Sequence, residues 1–376
     1  MNMRRRTRVM GAVLLAGALI LAACGSSSDD GDAKGNDSGS GDEPIKAAWI
    51  YVGSKTDGGW SEAHDLGRQA VEEEMGDAVE TTYKENVPEG PQVAQVIDQL
   101  VADGNKIIFA TSFGFQDAVV ASAEKYPDVY FEMATGSETS ENMGIYYGAG
   151  TDTNYLTGMA AGAASKSGKI GFVAPFPIPE VLRLINAYTL GAQETHPGAT
   201  VQVSWTNTWF DPGIEKKAAE SLIAAGVDVL GQGQDSPATG DAAKAKGLGW
   251  TGYDHNQKDY APESWLTATV YNWGPYYVER VKAAADGTWK TDNYWGDLND
   301  GFVELAPFGD SVSEETRTAI EEKKKALMDG SFYYFDGPVK DQSGEVKVPE
   351  GDTLELKDIL VMDWFVEGVI GSPTGS

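Results

Sequence analysis

The sequence predicts an α/β protein of two similar lobes, each built on a mostly parallel sheet flanked by helices. Three observations predict it. Short apolar strands alternate with amphipathic helical stretches from residue 44 onward. The same rhythm restarts near residue 169. And 376 residues with 41% hydrophobic and 23% charged residues suffice for two ordinary domains with real cores.

The elements follow in order. Strands are predicted over 47–52, 78–83, 106–110, 129–133 and 145–148, with helices over 61–75, 90–103 and 116–126 between them. Asp103-Gly104 stops the second helix before its strand. The Gly- and Ala-rich stretch 153–165 reads as a closely packed helix. The second series runs strand 169–173, helix 181–194, strand 201–206, helix 213–225, strand 227–231, helix 238–246, and strands 250–253 and 266–271. Helices are expected over 275–286 and 314–328, and the aromatic tail from 331 holds a strand-like run at 359–362.

Charge narrows the function. There are 29 Lys+Arg against 57 Asp+Glu, a net charge of −28. A nucleic-acid binder needs a basic face, so no nucleic-acid partner is expected. One cysteine excludes an internal disulfide, and three histidines leave little for a metal site. No GxSxG, HExxH or Walker pattern occurs, so we expect a binding protein and not an enzyme, with no cofactor and no metal.

The N-terminus accounts for the cysteine. Arg4, Arg5, Arg6 and Arg8 precede an apolar run from 9 to 23 that ends Leu21-Ala22-Ala23-Cys24. This resembles a bacterial lipobox, so residues 1–23 read as a signal peptide and Cys24 as the lipidated residue. Residues 24–43 are small and polar and read as a flexible tether. The expected location is the extracytoplasmic face of the cell membrane. After cleavage the only arginines are Arg68, Arg183, Arg280 and Arg317, all in helical patterns and none in a strand-end loop. Phosphate and carboxylate ligands are usually held by arginine forks, so an uncharged ligand is expected.

In open α/β sheets ligands sit beyond the carboxyl ends of strands. The segments there repeat one theme, an aromatic beside Asp, Asn or Gln. Trp60, Phe113, Phe115, Trp209, Phe210, Tyr253 and Tyr271 offer flat faces. Gln234, Asp235, Asp254 and Asn272 offer directional hydrogen bonds. A planar heterocycle such as a purine needs that combination, and a sugar ring would be served by the same residue types. Asp57, Ser61 and Asp211 read more simply as helix caps, and His64 and His196 as surface residues.

Several stretches together carry a resemblance. They are the lipobox at Cys24, Lys55-Thr56-Asp57-Gly58-Gly59-Trp60, the 208–222 segment, the 231–238 loop and the 267–277 run TATVYNWGPYY. The chain resembles the basic membrane protein family, the PnrA-like substrate-binding lipoproteins of ABC transporters, from about residue 46 to the end. The resemblance implies a type I periplasmic-binding-protein fold, two Rossmann-like lobes joined by three crossing strands that close on ligand. Lobe 1 would comprise 44–150 plus about 272–300, and lobe 2 would comprise 151–271 plus about 301–376. It implies a purine nucleoside or nucleobase ligand and an ABC permease partner, and we expect a monomer. Trp60 with Trp209 or Phe210 would sandwich the base, and Asp254 would match the ribose-binding carboxylate. Tyr271 stands where nucleoside-binding members carry Lys, and 234–237 replaces a glycine-rich loop. Both departures shift the expectation toward a base such as adenine. A sensing receptor without transport, or a protein for another neutral solute such as a sugar, are the alternatives.

Overall fold

The computed structural model describes residues 43–375. The signal-peptide, Cys24 and tether readings therefore lie outside the described residues, save the tether's last residue. The chain opens with β1 (Ile45–Ile50), α1 (Trp60–Met75), β2 (Val79–Lys84), α2 (Gln92–Ala102), β3 (Ile107–Ala110), α3 (Gln116–Lys125), β4 (Tyr130–Ala134) and β5 (Met143–Gly148). It continues with α4 (Gly150–Ala164), β6 (Lys169–Ala174), α5 (Pro179–Thr195), β7 (Thr200–Trp205), α6 (Pro212–Ala224), β8 (Val229–Gln232), α7 (Ala238–Lys244), β9 (Gly249–Gly252) and β10 (Trp265–Tyr271). Then follow α8 (Gly274–Ala285), β11 (Asn293–Gly296), β12 (Val303–Leu305), α9 (Glu314–Met328), β13 (Val339–Lys340), β14 (Val346–Val348), α10 (Leu356–Ile359) and β15 (Val369–Ile370).

Two sheets result. One has the order β11-β5-β4-β3-β1-β2 and is parallel throughout. The other has the order β12-β10-β9-β8-β6-β7-β15, with only β12 antiparallel. Central strands such as β3 are buried along their whole length, as parallel strands covered by helices on both faces must be. In the first sheet Trp49 stacks on Phe109 at 4.7 Å on one face, while Ile50 and Ile108 pack under α2 and α3 on the other.

The chain passes between the sheets three times, at 148–150, 271–274 and 296–303. These passes meet around Phe302, which packs edge-on to Trp273 at 5.0 Å. Gly296 lies so close beneath it that a Cβ there would sit 2.3 Å from the ring. The returning helix α8 is fastened to the first lobe by Glu132, which is fully buried. Its carboxylate accepts from Arg280, from Trp289 Nε1 at 2.7 Å and from the Tyr276 hydroxyl at 2.8 Å.

Some sequence expectations are corrected. Trp295 lies on β11, a strand that the polar stretch around it concealed. The 359–362 run is not a strand: a short helix ends at Ile359, and Met362 turns inward against Asn186. His64 is not on the surface but fully buried, with Nδ1 2.6 Å from the Tyr277 hydroxyl. Ser61 does not cap its helix; its hydroxyl accepts from Gly53 N, and Asp57 does the capping through Ser61 N and Glu62 N. Among the described residues no helix is long and apolar enough to cross a membrane.

Candidate ligand-binding site

Strand order places the site. In the first sheet β1 lies between β3 and β2, and in the second β6 lies between β8 and β7. The chain therefore leaves each central strand toward opposite sides, and a crevice opens at the carboxyl ends. The two crevices face each other and close around a narrow cavity.

The first lobe contributes Val52, Trp60, Ser112, Phe113 and Thr135. The second contributes Phe172, Glu180, Trp209, Asp235, Tyr253 and Asp254, among others. Trp60 opens α1 and is fixed by its indole N–H, which donates to the Thr111 carbonyl at 2.5 Å. Trp209 hangs from the loop after β7, edge-on to Phe176 at 5.1 Å. Tyr253, Tyr147 and Tyr271 share a hydroxyl cluster, 2.9 Å between the last two, and Tyr147 donates to Glu180 at 3.0 Å.

Asp235 and Asp254 are the unusual groups. Both are almost wholly buried. Asp254 has no hydrogen-bond partner on either carboxylate oxygen, and Asp235 Oδ2 has none. Burial pushes both carboxyls well above the usual range, and the nearby carboxylate of Asp57 adds to it. Asp254 also sits at φ +65°, a left-handed conformation in which Asp and Asn are enriched. A buried carboxylate without a donor costs stability, so these oxygens are suited to accept N–H or O–H groups from a ligand. Glu215 lies behind Asp235, holding the Ser236 hydroxyl, and burial raises it to about 7.

The lobes also touch beside the cavity. Gln257 Nε2 donates to the Gly58 carbonyl at 2.6 Å. Gly59 presses against the second lobe so closely that a Cβ there would lie 2.0 Å from the Asp235 carbonyl oxygen.

The structure thus brings Trp60, Phe113, Trp209, Asp235, Tyr253 and Asp254 to one cavity. It places five other candidates elsewhere. Phe115 is fully buried among the core side chains under α2 and α3. Phe210 points outward and is exposed. Gln234 is buried, but its amide donates to Thr206 Oγ1 and so orders the loop. Tyr271 stands behind Trp60 in the hydroxyl cluster, and Asn272 lies with it on an outer groove of the hinge. Residues i and i+1 beyond a strand end point differently, and a list by position alone includes both. Reasoning from loops missed Phe172, Glu180, Val181 and Leu184, because a strand's last turn and the first turns of the next helix also reach the crevice.

The family model for PnrA-like ABC transporter substrate-binding proteins matches residues 45–333. The chain belongs to that family. A PnrA-like protein is an extracytoplasmic solute-binding component, so a small-molecule ligand and a transporter partner come with the membership. Two relatives are similar over most of their length. A purine-binding protein of Brucella abortus is 40% identical over 87% of this chain and 93% of its own. A Haloferax volcanii protein named for glucose binding in an ABC transporter is 38% identical over 91% of this chain and 85% of its own. Among solved structures, a solute-binding protein from Aeropyrum pernix superposes with a TM-score of 0.67 at 19% identity, over 79% of this chain and 93% of that one. This last likeness shows the type I periplasmic-binding-protein fold. The PnrA-like match stops at 333, and the tail beyond it is bound to the second lobe, for example by Asn186, which pairs with Trp364 O and Val366 N at 2.9 Å each.

Proposed function

We propose that this protein captures a purine between its lobes and delivers it to the permease of an ABC importer, binding without catalysis. The observation that carries the reading is the pairing of an aromatic and aliphatic slot with two buried, donor-seeking carboxylates. A purine offers a flat face to Trp60 and Trp209 and N–H donors to Asp235 and Asp254. The purine-binding relative supports it. The glucose-named relative motivates the second reading. Against that reading, Val52, Phe172, Val181 and Leu184 would leave hydroxyls of a sugar unpaired on apolar walls.

Calorimetry with adenine, hypoxanthine, adenosine and glucose tests the reading. Glucose binding more tightly than every purine would overturn it. Trp209 is the cleaner aromatic to remove, since it is only half-buried whereas Trp60 is nearly enclosed. Trp209→Ala is expected to weaken the purine by more than about 1 kcal/mol, the scale of base–aromatic stacking. Its melting temperature without ligand should barely move.

Lipid attachment at Cys24, a monomeric state and import rather than sensing belong to the same proposal. Cys24→Ala should release the protein from membranes or leave its precursor uncleaved. A variant that is still processed and membrane-bound would exclude the lipobox.

A further inference from the structure

A second chamber adjoins the slot. It shares Phe113, Thr135 and Glu180 with the slot and extends to Arg183, Trp295 and Lys357, with a volume of about 420 Å³. Arg183 is 4% exposed. Its guanidinium lies over the rings of Tyr147 and Trp295, at 5.5 and 5.8 Å from their centroids. Yet among the described residues it has no hydrogen-bond or ion-pair partner. Glu180, three residues earlier on α5, is close enough for its charge to act on Arg183, but its hydrogen bond goes to the Tyr147 hydroxyl. Its N–H fork is therefore open to the chamber that Arg183 lines, where a ligand's oxygens can reach it.

The shared wall is also unusual. Thr135 follows β4 at φ +59°, where a β-branched residue is a genuine outlier, and its buried hydroxyl has no partner. Charge changes sign across it. Every charged residue lining the slot is an acid, Glu180, Asp235 and Asp254. The chamber has Arg183 and Lys357 against Glu180 alone. Lys357 already pairs with Glu355 at 2.7 Å, so Arg183 is the chamber's cation with no hydrogen-bonded acid. In a chain of net charge −28 this is a local reversal.

We infer that the cleft is bipartite, and that the chamber receives an anionic oxygen group carried by the ligand, gripped by Arg183. The class is a donor-bearing heterocycle in the slot with a carboxylate or phosphate-like substituent reaching past Thr135. This rests on the purine reading for its ring, but not for its anion. It also revises the expectation of an uncharged ligand, which rested on no arginine lying in a strand-end loop. Arg183 is helical, but the first turns of α5 adjoin the end of β6.

The test uses 9-carboxymethyladenine, its uncharged amide and 9-phosphonomethyladenine, titrated calorimetrically into the full chain and into Arg183→Gln and Arg183→Met. The methionine variant keeps an apolar stem on the two rings if the glutamine variant fails to melt cooperatively. The protein should bind the acid about tenfold more tightly than the amide, as a charge-assisted fork contact permits. The ratio should fall to about one in either variant. The phosphonate ranks phosphate against carboxylate. An amide bound as tightly as both anions, or a preference kept without Arg183, overturns the inference. If no purine binds at all, the purine reading fails and inorganic phosphate at fixed ionic strength decides. A rise in melting temperature that vanishes in Arg183→Gln upholds the chamber, and no rise, or an equal one, overturns it.

Discussion

Gly59→Ala is expected to weaken ligand binding by roughly 100-fold, about 2.7 kcal/mol, without touching the ligand. The position is a contact between lobes. The added methyl would lie 2.0 Å from the Asp235 carbonyl, and backbone cannot yield there as a flexible side chain could. The same step carries the Gly58 carbonyl that accepts from Gln257. Blocking the approach holds the lobes apart, and affinity falls with the fraction of molecules able to close. Small-angle scattering should show the variant remaining extended with saturating ligand where the parent contracts. Gln257→Ala should have the same sign and a smaller size, since it removes one hydrogen bond and adds no clash. Affinity within threefold of the parent in Gly59→Ala would mean that the loop simply moves aside.

Asp254→Asn is expected to separate stability from binding. In the folded protein burial holds the Asp254 carboxyl above its ordinary range, whereas the unfolded chain loses that proton near pH 4. Between those two values the folded state binds more protons than the unfolded one, so stability falls as pH rises. Asp235 contributes in the same direction. The free protein should therefore melt at a higher temperature near pH 5 than at pH 7. Asparagine removes the buried carboxyl that must stay protonated or carry an unpaired charge, and it is at home at φ +65°. The variant should melt a few degrees higher than the parent at pH 7 without ligand, on the scale of about 2–4 °C per kcal/mol. It should bind the purine at least about 30-fold more weakly, about 2 kcal/mol. A variant that is less stable when free, or equal in affinity, would show that neither oxygen faces the ligand.

Much of this was legible in the sequence because the physics is local. Short continuous apolar runs alternating with helical stretches mark a parallel α/β architecture, and strand ends mark the crevice. Trp60, Trp209, Asp235 and Asp254 follow strands and line the cavity. What the sequence hid depends on direction and distance. Phe113 and Phe115 are two residues apart, yet one lines the slot and the other fills the core. His64 reads as a polar helix residue because nothing in sequence shows that Trp273 will stack on it at 4.1 Å. Thr135 gives no signal at all, since its left-handed backbone is set by tertiary packing. Arg183 was set aside because a helical pattern looks remote from a loop site, although a helix begins where its preceding strand ends.

The three passes of the chain through the hinge also bear on how the protein is made. The first sheet lacks its edge strand β11 until residue 296 has been synthesised, and β11 pairs with β5 about 150 residues earlier. The second sheet waits longer still, because β15 closes its other edge against β7 from residues Val369–Ile370. Neither lobe can therefore finish before the other has largely emerged. Two nearly completed sheets with open edges must coexist on the nascent chain, where edges of this kind invite mispairing. Folding should be slow, dominated by pairings far apart in sequence. And a single nick within the hinge would leave the lobes joined by the two remaining passes.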